Sequence, residues 1–584
     1  MTAERPISGL CQDASRGVSR ERQPMPAAKV NPLIRWMPSL TDVAFLLPIG
    51  FLFLVGQGAR TMLGDGDTGW HVRTGEWILR NGRIPRTDFF SFTRPGQPWF
   101  AWEWLWDVAF GWLHQRWGLA AVIVASMMVL GVTFALLFRL ILRKCPNPFV
   151  ALGVTAFAAA GCSIHYLARP HLFTFLFVVV FSWILEAASE GRPRLLWWLP
   201  ALMVVWTNVH GGFLIGLMML ATYAAGNLVS GLVETERNTR RIAFGQFLRF
   251  TLAGATSFAA TFVNPYFYHL HVHIYQYLRD PQLYSTIQEF LPLTFRGYSA
   301  LAGEPMFALA ILAAAWNLYR RRFTYTFLVV AWACLGVDAA RNLPIFLLLA
   351  APVIGEMLGE ALEKAKAASG RGWLRMAARR LDEISSEIAP LERIPRFHLT
   401  SAAVIALVAV VLSVPHASAK FRAEYDPSAY PAKALPVLRS EESQRIFTND
   451  EWGDYLIYEL HPVRNVFVDG RSDFYGPKFD EAYLDVMKVK FGWDKTLSKY
   501  GVDTILLPVD EPLAGALKLS QRWRVVYDDG RAIVFRSYRP SSTTASSIAG
   551  TRNIEQPNYD KGNQKATASR DSSPAKISEP RTRS

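Results

Sequence analysis

The most constraining feature of this chain is its repeated runs of roughly 17 to 22 residues almost free of charge, the length a helix needs to cross a hydrocarbon core about 30 Å thick. Only a continuous helix satisfies its own backbone donors and acceptors at that depth, so each run is expected to be a transmembrane helix. Eleven such segments fall at approximately 42–59, 118–141, 149–166, 171–188, 195–207, 213–232, 247–263, 304–319, 323–339, 343–360 and 398–415, the one from 195 being short. With 51% apolar and 19% charged residues among 584, a string of ordinary soluble domains is excluded.

The net charge of +14 arises from basic residues scattered between the apolar runs and in a polar tail. Scattered charge of this kind speaks for membrane topology and against a nucleic-acid partner. Cys11, Cys145, Cys162 and Cys334 show no ligand spacing, so neither a zinc site nor a disulfide framework is expected. Residues 1–36 are polar and basic for too long to form a cleavable signal, and 1–40 reads as a cytoplasmic N-terminal segment.

Loop charge orients the bundle. With the N-terminus inside, the inner connections include Arg143-Lys144, Arg192 to Arg194, Arg237 to Arg241, Arg320 to Arg322 and the basic stretch from Lys364 to Arg396. About 26 Lys and Arg then lie inside against about 11 outside, the asymmetry of the positive-inside rule. The expected localisation is the cell inner (plasma) membrane, multi-pass, with a membrane domain over 41–415, a first outer loop over 60–117 and everything beyond 415 extracytoplasmic.

From Ser440 to Tyr538 the composition becomes that of an α/β domain. Short β-prone runs at 445–448, 465–468, 504–507, 523–527 and 532–535 alternate with helix-like stretches, defining an extracytoplasmic domain over 416–539. Residues 540–584 are rich in Ser, Thr, Lys, Arg and Pro with few apolar side chains, and read as a disordered tail.

Once oriented, the polar residues at the span ends fall almost entirely on the outer side: Asp65, Asp67, His71 and Arg73, then Arg169 and His171, Asn208 and His210, Asn264, Glu289, and Asp338, Arg341 and Asn342. Ionisable and amide groups there are costly unless paired or hydrated, so their convergence from five connections points to a shared water-filled cavity near the outer leaflet. The inner loops carry mostly plain Arg and Lys. Substrate-binding candidates are accordingly His71, Arg73, Glu103, Arg169, His171, Asn208, His210, Asn264, Glu289, Arg341 and Asn342.

Within the first outer loop, Asp65-Gly66-Asp67 follows a span directly, and two carboxylates so spaced can hold a divalent cation together or divide the work of base and stabiliser. The alternative is a simple glycine turn leaving the membrane. Downstream, Glu103 and Asp107 sit among Trp99, Trp102, Trp104, Trp106 and Trp112, the composition of an interfacial helix. The loop from Asn264 to Tyr298 carries His269, His271 and His273 among tyrosines; a metal site is one reading, and an aromatic lining for a sugar or lipid headgroup is the other. Metal ligands therefore stay undetermined, with a divalent cation as the possible cofactor.

On these residues the chain resembles the GT-C superfamily of membrane glycosyltransferases, which includes protein O-mannosyltransferases, oligosaccharyltransferases and lipid A aminoarabinose transferases. The string Asp67-x-x-x-His71-x-Arg73 is similar to the first-loop Asp-Pro-x-x-Asn-x-Arg pattern of oligosaccharyltransferases. Ala168-Arg169-Pro170-His171, Trp206-Thr207-Asn208-Val209-His210-Gly211-Gly212 and the terminal α/β domain look like a group of large bacterial membrane proteins in the same superfamily. The fold implied is a polytopic α-helical membrane protein of about 11 transmembrane helices with a C-terminal extracytoplasmic α/β domain. The chain departs from its relatives in lacking a WWDYG-type motif and in carrying Asp65-Gly66-Asp67 where mannosyltransferases have an Asp-Glu pair, which leaves the acceptor unspecified.

The resemblance implies a polyprenyl-phosphate sugar donor, membrane lipids as partners, and an extracytoplasmic glycan, lipid or protein acceptor. Asp67 is then the expected catalytic base, with Asp65 assisting. Arg169, Arg341 or His210 would meet the donor phosphate, and His71 and Arg73 would orient Asp67. The stretches Asn449 to Tyr455 and Val468 to Gly476 either bind an acceptor or merely cap helices and end strands. Competing functions are a transporter or flippase of lipid-linked glycans, disfavoured by one-sided polarity and the absence of repeats, and a non-catalytic membrane scaffold.

Overall fold

The computed structural model describes residues 31–280, 287–294, 296, 298–367, 372–440 and 442–538. The polar first 30 residues and the tail expected to be disordered lie outside these. The chain is a multi-pass membrane protein: α1 (Leu40–Leu54), α3 (Trp104–Lys144), α4 (Pro148–Cys162), α5 (His171–Ser189), α7 (Phe213–Val233) and α12 (Leu343–Ala367) fall in segments long and apolar enough to cross a bilayer. Helices α6 (Leu199–Val209), α8 (Arg237–Ala260), α10 (Tyr298–Tyr319), α11 (Phe323–Asp338) and α14 (Leu399–Leu412) lie over the other expected segments. Two further helices, α9 (Tyr268–Leu278) and α13 (Trp373–Glu392), fall in the connections.

Local chemistry sets these boundaries. Ser39 and Asp42 form a capping box that starts α1, each satisfying a backbone donor of the other. Asn147 caps α4 ahead of Pro148. At Gly118 (φ 67°, ψ −165°) α3 breaks, separating its Trp-rich opening from the apolar span that follows, which is where the sequence expected the span to begin. Helix α12 is buried from Leu343 to Gly355 and packs against α3, α4, α5, α10 and α11, making it the centre of the bundle.

Between α1 and α3 the first loop forms α2 (Asp67–Asn81), ending on Gly82 in a left-handed conformation. The approach of α2 to α3 is backbone to backbone: a Cβ at Gly75 would sit 1.8 Å from the Asp107 carbonyl oxygen.

The C-terminal part holds α15 (Asp450–Leu460), α16 (Pro477–Met487), α17 (Trp493–Lys499) and α18 (Pro512–Leu519) around a sheet of order β2-β1-β3-β5-β4. Its strands are β1 (Arg445–Phe447), β2 (Asn465–Val466), β3 (Thr504–Pro508), β4 (Trp523–Asp528) and β5 (Ala532–Ser537), all within or overlapping the expected runs. β1 pairs in parallel with β2 and β3, whereas β5 is antiparallel to β3 and β4. Side chains alternate as a pleated sheet requires. Ile446, Leu506 and Val534 belong to the core that continues into the membrane helices, and Phe447, Ile505, Leu507, Ile533 and Phe535 form a second core with Phe479, Leu513 and Leu517.

The first loop and the sheet are built into one another. Ser91 bridges Val466 in parallel register, with Phe92 N donating to the Val466 carbonyl at 3.1 Å and Val466 N to the Phe90 carbonyl at 3.0 Å. Buried Arg471 pairs with Asp88 of the loop and with Asp469, each at 2.7 Å.

Candidate active site

Asp67 opens α2, where the unsatisfied amides of a helix N-terminus favour negative charge. Asp65 Oδ1 accepts a hydrogen bond from Asp67 N at 2.8 Å, so the first carboxylate caps the helix that carries the second. Arg169 then forks across both, Nη1 to Asp65 Oδ2 at 2.7 Å and Nη2 to Asp67 Oδ2 at 2.5 Å. The arginine is set in place by its neighbour: Ala168 N donates to the Met62 carbonyl at 2.7 Å, and Thr68 Oγ1 donates to the Ala168 carbonyl at 3.2 Å. Trp70 Nε1 donates to Asp67 Oδ1 at 3.1 Å.

On its other side Asp67 meets the sheet-bearing part. Asp454, on α15 and 1% exposed, hydrogen-bonds Asp67 and accepts Gly470 N at 2.9 Å on Oδ1. The two carboxyls converge on Gly470, whose absent Cβ would lie 2.5 Å from Asp67 Oδ1 and 2.6 Å from Asp454 Oδ2. Glu451 accepts Gly66 N at 2.9 Å and the Tyr430 hydroxyl.

Burial pushes the Asp67 carboxyl up to about 7, with Arg169 opposing and the Asp65 charge adding. Asp454 is pushed up further by its burial and by Asp67. Two carboxyls in contact cannot both ionise, so Asp454 keeps a proton that it donates to Asp67, leaving Asp67 as the member able to accept one.

A second cluster adjoins the first. Glu103 lies with Oε2 3.3 Å from His71 Nε2 and Oε1 3.5 Å from His210 Nε2. His71 Nδ1 is 2.7 Å from Asp107 Oδ1. His210 Nδ1 accepts Gly212 N at 3.0 Å and lies 2.8 Å from Thr174 Oγ1, which leaves its Nε2 to carry the proton toward Glu103. Burial raises Glu103 to about 8, with Arg169 opposing and Asp473 and Asp67 adding. Burial and the nearby arginines hold both imidazoles neutral, His210 at about 3.

At the far wall Arg341 lies 3.5 Å from Glu289 and over the Phe290 ring. Burial would raise Glu289, but Arg341, with Arg169, His165 and His210, outweighs it and holds the carboxyl at about 2. His273 pairs with Asp473 at 2.9 Å and stacks on Phe100, so the sheet-bearing part contributes here as well.

The structure thus brings together Asp65, Asp67, Arg169, Asp454 and Glu451, and beside them His71, Glu103, His210, Glu289 and Arg341. Other residues expected at the site are occupied elsewhere. Arg73 does not orient Asp67: Nε donates to the Tyr458 carbonyl at 2.8 Å and Nη1 pairs with Glu76 at 2.7 Å. His71 answers to Asp107 and Glu103 rather than to Asp67. His171 Nε2 donates to the His165 carbonyl at 2.8 Å. Asn264 locks its own turn through Thr261, Tyr266 and Phe267, and Asn342 donates to the Leu335 carbonyl at 3.1 Å. Asn208 accepts Trp104 Nε1 at 2.8 Å and so steadies the residue next to Glu103.

A shared cation is not what the donor set favours. The Arg169 fork takes an oxygen of each of Asp65 and Asp67, and among the described residues no group of three or more His, Cys, Asp or Glu is placed to hold a metal ion.

A helical membrane bundle whose first loop meets a C-terminal α/β part over an acidic centre is a fold this chain shares with a solved oligosaccharyltransferase. The solved structure that carries this comparison is the oligosaccharyltransferase of Archaeoglobus fulgidus tethered to an acceptor peptide containing the NVT sequon, 13% identical over 86% of this chain and 74% of that one, with a TM-score of 0.52. The apo form of that enzyme matches at 12% identity over 81% and 69% of the two chains with a TM-score of 0.49, and apo ArnT from Cupriavidus metallidurans at 16% over 85% and 96% with a TM-score of 0.42. No family model and no curated protein matches the sequence.

Proposed function

We propose that this protein transfers a sugar from a polyprenyl-phosphate-linked donor to an acceptor hydroxyl at the extracytoplasmic face of the cell membrane. The observation that carries this reading is Asp67: a largely buried carboxylate at a helix N-terminus, forked by Arg169 and hydrogen-bonded to Asp454, on a GT-C fold. The loop-charge asymmetry supports placing that face outside. Nucleotide sugars are largely cytoplasmic, so a lipid-linked donor suits a site on the outer side.

In this reading the acceptor oxygen attacks the anomeric carbon as Asp67 takes the hydroxyl proton, and the bond from that carbon to the phosphate oxygen breaks, releasing polyprenyl phosphate. Because Arg169 is committed to Asp65 and Asp67, the phosphate charge falls to Arg341, whose ion pair with Glu289 is a loose 3.5 Å contact, assisted by His210. Glu103, protonated near neutral pH, donates to a sugar hydroxyl or phosphate oxygen. Asp473 and the aromatic rings beside His273 offer a polar edge and apolar faces suited to a glycan.

The test is transfer of radiolabelled sugar from a panel of polyprenyl-phosphate donors in membranes containing wild type, Asp67→Asn or Asp65→Asn at equal protein levels. Donor-dependent transfer lost in Asp67→Asn supports the assignment. Transfer indifferent to both substitutions sinks the mechanism, and no transfer from any donor in the panel counts against the activity itself.

A further inference from the structure

At the opposite end of α1 and α3 from the candidate site lies a cavity of about 510 Å³ that no step of the proposed reaction uses. Its deeper wall is apolar, formed by Phe45, Val132 and Leu136, and Val132 is 37% exposed, so this wall opens to the outside of the bundle. Its other end carries Arg139, Arg396 and His398. Neither arginine has a carboxylate ion pair among the described residues. Arg139 Nη1 donates to the Glu392 carbonyl at 2.6 Å, and Arg396 Nη1 donates to the carbonyls of Ile34 at 2.7 Å and Met37 at 3.1 Å. The one carboxylate in the lining, Glu392, is turned to α1, accepting Leu40 N at 2.9 Å. The two arginines are therefore held by neutral partners, while His398 Nδ1 faces the buried Asp42 carboxylate at 3.3 Å.

Depth identifies what such a cavity meets. Trp36 and Phe397, whose rings lie 5.0 Å apart, are 61% and 53% exposed beside Arg396, and Trp373 at the start of α13 is 72% exposed. Exposed Trp at the ends of spans marks the level of lipid headgroups. Along α3, Val132 lies seven residues before Arg139, about 10 Å deeper at 1.5 Å per residue, within reach of acyl chains. A cationic end at headgroup level joined to an apolar wall below it matches the two halves of a phospholipid, whereas a free anion would leave the wall unused.

We propose that this cavity holds one glycerophospholipid of the adjoining leaflet, its phosphate at Arg139 and an acyl chain against Phe45, Val132 and Leu136. Arginine suits this role through its planar donors, of which Arg139 spends one on Glu392.

Native mass spectrometry of the full chain in detergent, titrated with palmitoyl-oleoyl phosphatidylglycerol, tests it. Wild type is expected to retain one lipid. Ala135→Trp, which fills the cavity, and Arg139→Gln, which keeps a donor for the Glu392 carbonyl but removes the charge, are each expected to weaken retention about tenfold. Equal retention by wild type and Arg139→Gln overturns the assignment of the phosphate. Equal retention by a folded Ala135→Trp overturns the cavity as the site, and displacement of the lipid by millimolar inorganic phosphate makes it a free-anion site instead.

Discussion

At the residue scale the ionised form of Asp67, the proposed base, is lost as pH falls. Its carboxyl is raised to about 7, so transfer is expected to decline about tenfold per unit below that pH. Since the Asp65 charge helps raise it, Asp65→Asn should move this acidic limb to lower pH, which a pH–rate profile of the two proteins reads directly; an unmoved limb would assign the titration to another group. Glu103 makes a different prediction. Its carboxyl rises from 4.5 to about 8, so stability is greatest while it is protonated in both states and declines as pH climbs between those values. At pH 7 keeping it neutral costs about 3 kcal/mol, and Glu103→Gln, neutral throughout, should raise the melting temperature at pH 7 and flatten its slope between pH 5 and 8. Asp67 was legible in sequence because it follows a span and has an acidic neighbour. Asp454 lies in the stretch Asn449 to Tyr455 that the sequence marks for acceptor binding or helix capping, but its pairing with Asp67 was not legible, because nothing local says which distant carboxylate a buried Asp faces.

At the element scale, α2 is the part that presents Asp67, and it is held by glycine contacts on two faces. Gly75 meets α3 and Gly69 meets α15, where a Cβ would lie 2.8 Å from Tyr458 Cβ. Adding a methyl group forces the backbones apart, because at Gly75 the obstructing atom is the main-chain oxygen of Asp107. Gly75→Ala is therefore expected to cost about 1–3 kcal/mol and to reduce transfer even though every polar site residue is retained. Gly50→Ala in α1, where no atom lies within 4 Å, should change the melting temperature little and slightly upward. Equal effects of the two substitutions would show that the close approach does not position α2. Apolar runs and alternating strands were legible because length and period are local properties. The joining of Phe90 to Thr93 onto the edge of β2 was not, since a short loop segment pairs with a strand only when the whole chain places it there.

At the scale of the whole molecule, the sheet-bearing part is not a separate appendage but supplies Asp454, Glu451 and Gly470 to the candidate site, so its docking is a condition of the proposed chemistry. The buried lock is Arg471, 2% exposed, between Asp469 of its own part and Asp88 of the first loop. Its charge is compensated only when both carboxylates are present, and its ring neighbours Trp99, Phe90 and Phe474 provide cation–π contacts and no acceptor. Asp88→Asn leaves that guanidinium under-compensated in an apolar surround, an imbalance worth about 3 kcal/mol, and should cut transfer while exposing the connection over residues 416–440 to limited proteolysis. Replacing the arginine as well, in Asp88→Asn with Arg471→Met, removes the stranded charge, so the double variant is expected to be more stable than the sum of the single losses predicts. Strict additivity in that cycle would mean that Asp88 and Arg471 are not coupled and that the packing of α2 on α15 alone holds the sheet-bearing part over Asp67.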